Sequence, residues 1–274
     1  GICKGKIIQG TVDYGRHNEE TLTADEKQVG KALFCCASPL TDLVIECHEI
    51  SATKDIEIKT LPCRVHKLEL VAPDVMVISL KLPTNQRLQF LAGQYIDILL
   101  KDGKRRSFSL LNAPHDDEYL ELHARNYPGG VFTEHVFTNM KVKDMLRFTG
   151  PLGSFFLRDT PEECSIIFLA SGTGFAPIKS ILEHVFHQEG GRHRKRNMTL
   201  YWGARTKSDL YLADLADKWQ REHDNFTFIP VLSEPLPSDN WQGRTGLVHQ
   251  AVMHDFLSLE MHQVYACGVP VMVK

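Results

Sequence analysis

The 274-residue sequence contains no apolar run of the roughly 18 to 20 residues needed to span a bilayer. It has no internal repeat and no low-complexity tract, which excludes solenoids and long disordered linkers. Neither charge dominates: 31 basic residues against 34 acidic ones leave a formal net charge of -3. That balance argues against nucleic acid or an anionic membrane as partner. The local run Arg192-His193-Arg194-Lys195-Arg196 is the exception, and it reads as a solvated loop. Cysteine is sparse and odd in number, seven in all (3, 35, 36, 47, 63, 164, 267). A disulfide scaffold is a poor reading for so long a chain, and a cytoplasmic protein with metal-binding and buried thiols fits better. No secretory signal is visible at the start, which opens at Gly1 inside a motif. The end at Lys274 also cuts a motif, so a fragment of a longer chain is expected.

With 43% hydrophobic and 24% charged residues, the composition is that of a globular protein of about two domains. Three segments follow. Residues 1–48 are short, polar and carry four of the seven Cys, and residues 49–57 read as a linker. Residues 57–157 alternate apolar and polar over short runs, as in Val75–Leu82, Gln94–Leu100, Arg106–Leu111, Tyr119–Arg125 and Met145–Phe148. That rhythm, punctuated by Gly and Pro, predicts a small antiparallel barrel. From residue 158 onward the pattern changes. Ser165–Ala170 is continuously apolar, as a parallel strand buried on both faces should be. Helical periodicity over Pro177–His187, Asp209–Glu222 and Val248–His254 alternates with strands at Met198–Gly203, Phe226–Leu232 and Gln263–Ala266, which predicts a doubly wound parallel α/β domain.

Four short motifs carry chemistry, and each has a bland alternative. Gly172-Thr173-Gly174, with Pro177 shortly after, follows the first parallel strand and opens a helix. Glycines there let the backbone approach a ligand, and the helix start offers unpaired N–H groups to a phosphate. The bland reading is a mere strand–helix turn. Cys267-Gly268, with Met272 close behind, stands at the C-terminal end of the last strand, where open α/β sheets bind ligands. A cysteine there is equally readable as a small buried residue. Arg106-Ser107-Phe108-Ser109 sets a cation, an aromatic and hydroxyls on one strand, or is an ordinary edge strand. Gly130-Val131-Phe132-Thr133 turns into a helix, with Thr133 as an N-cap or a phosphate contact.

In this order the four motifs resemble the ferredoxin–NADP reductase superfamily, over residues 57–274. The likeness implies that Arg106 pairs with a phosphate of FAD, that Phe108 packs on the isoalloxazine, and that Ser109 bonds near flavin N5. Phe108 replaces the tyrosine of the family motif and so removes a hydroxyl. His123 and Arg125 would line the rest of the flavin, with Gly130, Val131, Phe132 and Thr133 at its phosphate. Gly172, Thr173, Gly174 and Pro177 would form the nicotinamide turn. Cys267, with Gly268 and Met272 behind it, would face the nicotinamide C4. Trp202, Gly203, Ala204 and Arg205 would reach the ribose and phosphates. Asp209, set where a 2′-phosphate would lie, implies NADH; Arg205 favours the alternative, NADPH.

The resemblance also gives the N-terminal segment a meaning. Cys3, in Gly1-Ile2-Cys3-Lys4-Gly5, and Cys35, in Cys35-Cys36-Ala37-Ser38-Pro39, match the third and fourth ligands of a plant-type ferredoxin [2Fe–2S] cluster. Residues 1–48 would then be the C-terminal part of a β-grasp ferredoxin domain. The implied fold is multidomain, α+β and α/β: ferredoxin piece, flavin-binding barrel, nucleotide-binding sheet. The implied activity is electron transfer from NADH through FAD to the cluster, then to a downstream dehydrase or oxygenase component. Within the superfamily, Gly150–Phe156, Leu200–Arg205 and Gly243–Val248 are similar to CDP-6-deoxy-3,4-glucoseen reductases and are largely shared by reductase components of aromatic-ring and phenol oxygenases. A non-catalytic redox-sensing module and a reductase acting directly on a sugar are the competing readings.

Overall fold

The computed structural model describes residues 4–46 and 55–273. Contacts divide the chain into two units, Gly1–Asp55 and Ile56–Lys274. In the first, β1 (Lys4–Gln9) is the middle strand of an antiparallel sheet, between β3 (Lys31–Leu33) and β5 (Val44–Glu46). A small ladder joins β2 (Val12–Asp13) to β4 (Ser38–Pro39). Helix α1 (Ala24–Gln28) starts with a reciprocal capping box between Thr23 and Glu26. Glu26 also binds Lys4 at 2.7 Å, tying the helix to β1.

The second unit begins with β6 (Lys59–Ala72), a 14-residue strand absent from the expectations above. It pairs with both β7 (Val75–Lys81) and β11 (Met145–Leu152). With β8 (Tyr95–Leu99), β9 (Arg105–Ser109) and β10 (Leu120–Arg125) they form one antiparallel sheet, ordered β10-β7-β6-β11-β8-β9. Its two edges meet through a bridge between Leu110 and Leu122, which curls the sheet into a barrel. Val65, Ile78, Leu80, Ile96, Ile98, Leu122 and Phe148 fill the interior. Helix α2 (Val131–Thr138) adds Phe132 and Val136 to that core.

Beyond the barrel lies a five-stranded sheet ordered β15-β14-β13-β12-β16, all parallel. Its strands are β12 (Ser165–Ser171), β13 (Met198–Ala204), β14 (Phe226–Leu232), β15 (Arg244–Thr245) and β16 (His262–Cys267). Helices α3 (Phe175–His187), α4 (Ala213–Glu222), α5 (Val248–Asp255) and α6 (Pro270–Val273) complete the domain. The apolar run of β12 is buried on both faces: Phe168 and Ala170 pack into one core cluster, Ile167 and Leu169 into another. Among the described residues, no helix is long and apolar enough to cross a membrane.

Candidate active site at the seam of barrel and sheet

Ile96 and Ile98 stand opposite Phe108 and Arg106 in the β8–β9 register, so those side chains share the interior face of the barrel edge. Phe108 is half-buried against the barrel core, its ring 5.4 Å from that of Phe132. The Arg106 guanidinium donates to the carbonyl of Arg105 at 2.8 Å. Ser107 and Ser109 face outward, and Ser107 donates to Asp97 at 2.6 Å.

At α2 the capping residue is Gly130, with no side-chain cap. Thr133 was the expected N-cap; it is instead the third helical residue, and its hydroxyl donates back to the Gly130 carbonyl at 3.1 Å. The first N–H groups of α2 therefore lack a side-chain acceptor, as at a phosphate site. Gly129 has φ +77°, a conformation glycine takes without the cost a Cβ imposes.

The turn after β12 is built far more tightly. Gly172 has φ +53°, and a Cβ there would stand 2.5 Å from the Arg125 guanidinium. A Cβ on Gly174 would collide with the Cys267 carbonyl and lie 2.8 Å from Gly268 Cα. A Cβ on Gly268 would lie 2.5 Å from Ser171, and one on Gly203 would lie 2.7 Å from Val248. Pro177 is the third residue of α3, where its missing N–H costs no helical bond. Trp202 does not reach a ligand, contrary to expectation. It is buried, stacks on Phe175 at 4.0 Å, and donates its indole N–H to the Gly172 carbonyl at 3.0 Å. Its place is beneath the turn, as a brace.

Where barrel and sheet meet there is a cleft of about 510 Å³. The barrel side supplies Asp74 and Arg125–Pro128; the ends of the parallel strands supply Ser171, Gly172 and Gly203–Arg205, and α6 supplies Met272. Cys267 is half-buried beside it at the end of β16, and burial pushes its thiol up to about 11. It is therefore a neutral thiol near neutral pH.

Arg125 joins the two walls. It donates to Asp74 at 2.8 Å and to Asp209 at 3.3 Å. Asp209 was read as a carboxylate that would repel a 2′-phosphate. In the structure it is buried, accepts from the Thr206 backbone N–H at 3.0 Å and hydroxyl at 3.1 Å, and faces Arg125. A carboxylate so engaged gives no basis for choosing between NADH and NADPH. Arg205 is exposed, 3.8 Å from Asp74, and leaves a cation at the cleft rim. Asp74 was missed in the sequence, where it is one acidic residue in a turn. The Thr206-x-x-Asp209 spacing is the sequence signal of this reciprocal cap.

His123 and Arg125 lie on the outer face of β10, toward the sheet domain. His123 is buried and its Nδ1 lies 2.9 Å from the Tyr211 hydroxyl. Burial first, then the charge of Lys179, pushes the imidazole down to about 3. Its Nε2 is buried with no hydrogen-bond partner. Such an orphan costs about 1–3 kcal/mol unless a water or a polar ligand atom meets it.

The arrangement fits a flavin and a nicotinamide nucleotide: a helix start without a side-chain cap, an orphaned ring nitrogen, and glycines where no side chain has room. The iron–sulfur ligands are a different matter. Cys3 lies outside the described residues. Cys35 is exposed, with its sulfur 3.6 Å from that of Cys36. Among the described residues, no three His, Cys, Asp or Glu side chains group as a metal site.

Comparison with known proteins agrees with this geometry. Residues 62–157 match the family described as an oxidoreductase FAD-binding domain, and residues 168–274 match an oxidoreductase NAD-binding domain. A CDP-6-deoxy-L-threo-D-glycero-4-hexulose-3-dehydrase reductase of Yersinia pseudotuberculosis is 37% identical over 273 residues, covering 100% of this chain and 79% of that protein. The reductase component 2 of a Comamonas terephthalate 1,2-dioxygenase is 34% identical, with coverage of 100% and 79%. The crystal structure of an Amycolatopsis cytochrome P450 reductase superposes with a TM-score of 0.80 at 34% identity, covering 99% of this chain and 80% of that one. Barrel, glycine turns and relatives converge on one statement: the chain belongs to the ferredoxin–NADP reductase-type family of FAD- and NAD-binding oxidoreductases.

Proposed function

We propose that the protein carries electrons from a reduced nicotinamide nucleotide, NADH or NADPH, through FAD to a [2Fe–2S] cluster and on to a partner enzyme. The observation that carries this reading is the cleft in which Arg125 of the barrel meets the Gly172–Gly174 turn of the sheet. Bound FAD supplies the chemistry that takes the electron pair of a hydride and releases it one electron at a time, which is what a one-electron cluster requires. The chain's own residues hold and orient. Arg106 and the start of α2 take phosphate, as a guanidinium fork and a bare helix end suit. Phe108, Ser109 and His123 border the flavin, while Gly172, Thr173, Gly174, Gly203 and Gly268 let a dinucleotide lie against backbone. Cys267, a neutral thiol, packs beside the nicotinamide without donating a charge.

The domains are then a ferredoxin-type [2Fe–2S] piece over 1–48, the FAD barrel over 57–157 and the NAD(P) domain over 158–274. Cys3 and Cys35 are two of the four cluster ligands. The relatives' names support a CDP-6-deoxy-hexulose dehydrase as the acceptor. The likeness to a dioxygenase reductase supports a second reading, an oxygenase component. Reconstitution of the full-length protein with each class of acceptor separates them: the true partner turns over with NADH, the other does not. Loss of NADH-driven reduction with every one-electron acceptor would overturn the proposal.

A further inference from the structure

Tyr211 stands in the connection between the 3₁₀ turn at Lys207–Asp209 and α4, and no motif marks it. Its ring lies edge-on to His123 at 5.0 Å and edge-on to Trp202 at 5.3 Å, so it links the barrel wall to the brace beneath the glycine turn. Its hydroxyl meets His123 Nδ1 at 2.9 Å. Burial raises the phenol above its ordinary value, so it keeps its proton.

Two proton arrangements satisfy that bond. If Nδ1 carried the hydrogen, the phenol proton would be buried beside the ring with no acceptor, and Nε2 would be a bare lone pair. If the phenol donates, its own proton and Nδ1 are both satisfied and the ring hydrogen sits on Nε2. The second arrangement leaves one fewer unpaired group at a part-buried bond, a difference of about 1 kcal/mol. Nε2 then remains the one unpaired atom of the pair, as an N–H donor.

We infer that Tyr211 is a positioning residue: its hydroxyl fixes His123 as the Nε2–H tautomer, so that a neutral, buried donor is presented to an acceptor atom of the isoalloxazine. The inference rests on the proposed flavin site and deepens it. A neutral donor suits this place, because it gathers the electron density of a reduced ring without carrying a full charge into a buried seam.

The test uses the full-length flavoprotein with ¹⁵N-labelled histidine, first stripped of FAD and then reloaded. Multiple-bond ¹⁵N–¹H correlation in the stripped protein should show His123 as a single Nε2–H tautomer, and Tyr211→Phe should show a mixture. On reloading, the wild-type Nε2–H proton should shift downfield. FAD affinity should fall about five- to tenfold in Tyr211→Phe, as loss of one neutral hydrogen bond implies. His123→Gln, whose amide N–H can stand at the Nε2 position, should retain affinity that His123→Leu loses. An Nδ1–H tautomer in wild type, or His123 signals that ignore bound FAD, overturns the inference while leaving the flavoprotein reading intact. Failure of FAD to bind at all overturns that reading instead, and the tautomer in the stripped protein is read independently of it.

Discussion

The barrel and the parallel sheet each end in a glycine turn that runs into a helix, but the two turns have opposite tolerances. At the barrel turn, a Cβ on Gly129 would meet nothing within 4 Å, whereas one on the neighbouring Gly130 would collide with the Thr133 hydroxyl and lie 3.0 Å from the Tyr127 carbonyl. At the sheet turn, Gly172 and Gly174 are walled in by Arg125, Cys267 and Gly268. The first turn is open at Gly129, and Gly130 is confined by its own helix and turn. The second is closed at Gly174 by the Cys267 and Gly268 backbone and at Gly172 by Arg125 from the barrel. One turn is limited by its own residues, whereas the other is defined by what is packed against it.

Substitution should expose that difference most sharply at Gly174. Gly174→Val should reduce NADH-driven flavin reduction by at least about 100-fold, because the side chain has no space beside Cys267 and Gly268. Flavin content should stay near wild type. Gly129→Ala should cost only about 1 kcal/mol from its positive φ, and should leave nicotinamide kinetics unchanged. Equal losses at both positions would refute the contrast.

Arg125 tests the join between the two regions. Arg125→Leu removes the nearer of the two cations beside Asp74 and Asp209, leaving Arg205 at 3.8 and 3.9 Å, and should lower stability by about 1–2 kcal/mol in urea titration. A loss below about 0.5 kcal/mol would show that the seam does not depend on it. Arg106→Ala sharpens the barrel side alone: FAD affinity should fall about 30-fold, with Arg106→Lys intermediate, because a point charge lacks the guanidinium fork. Dialysis against apo-protein would measure both.

The remaining contrast is in pH and appears only on the acid side. The folded protein holds the His123 imidazole near 3, well below its ordinary 6.5, so folding favours the neutral ring. Above pH 6.5 both states are neutral and the contribution is complete. As the pH falls from 6.5 toward 3, the unfolded chain takes up a proton that the folded chain refuses. Stability should then drop by up to about 1.4 kcal/mol per pH unit from this group. His123→Gln should flatten that part of the profile.

The fold was legible where burial imposes a simple rhythm. Ile166–Ala170 is an unbroken apolar run because β12 is covered on both faces, whereas Phe226–Leu232 carries the exposed Thr227 and is covered less completely. The strand β6 escaped notice because only its first half is buried on alternate residues, at Leu61, Cys63 and Val65; beyond that the pattern turns largely exposed. Strand β15 is two exposed residues held by pairing with β14, which no periodicity announces. At the site, glycines and Arg106 could be singled out because their chemistry is local. The duties of Asp74, Asp209 and Tyr211 arise from contacts across the seam, such as that of Tyr211 with His123 at a sequence separation of 88, and Trp202 acts through a contact 30 residues away, so none has a local signal.

The account turns on a flavin held between these two regions, filled by hydride from the nicotinamide side and emptied singly. Anaerobic stopped-flow mixing of the full-length protein with NADH tests it most directly. Saturable bleaching of the flavin, followed by reduction of two one-electron acceptors per NADH, is the predicted result. A flavin that stays oxidised in the presence of bound NADH would contradict it.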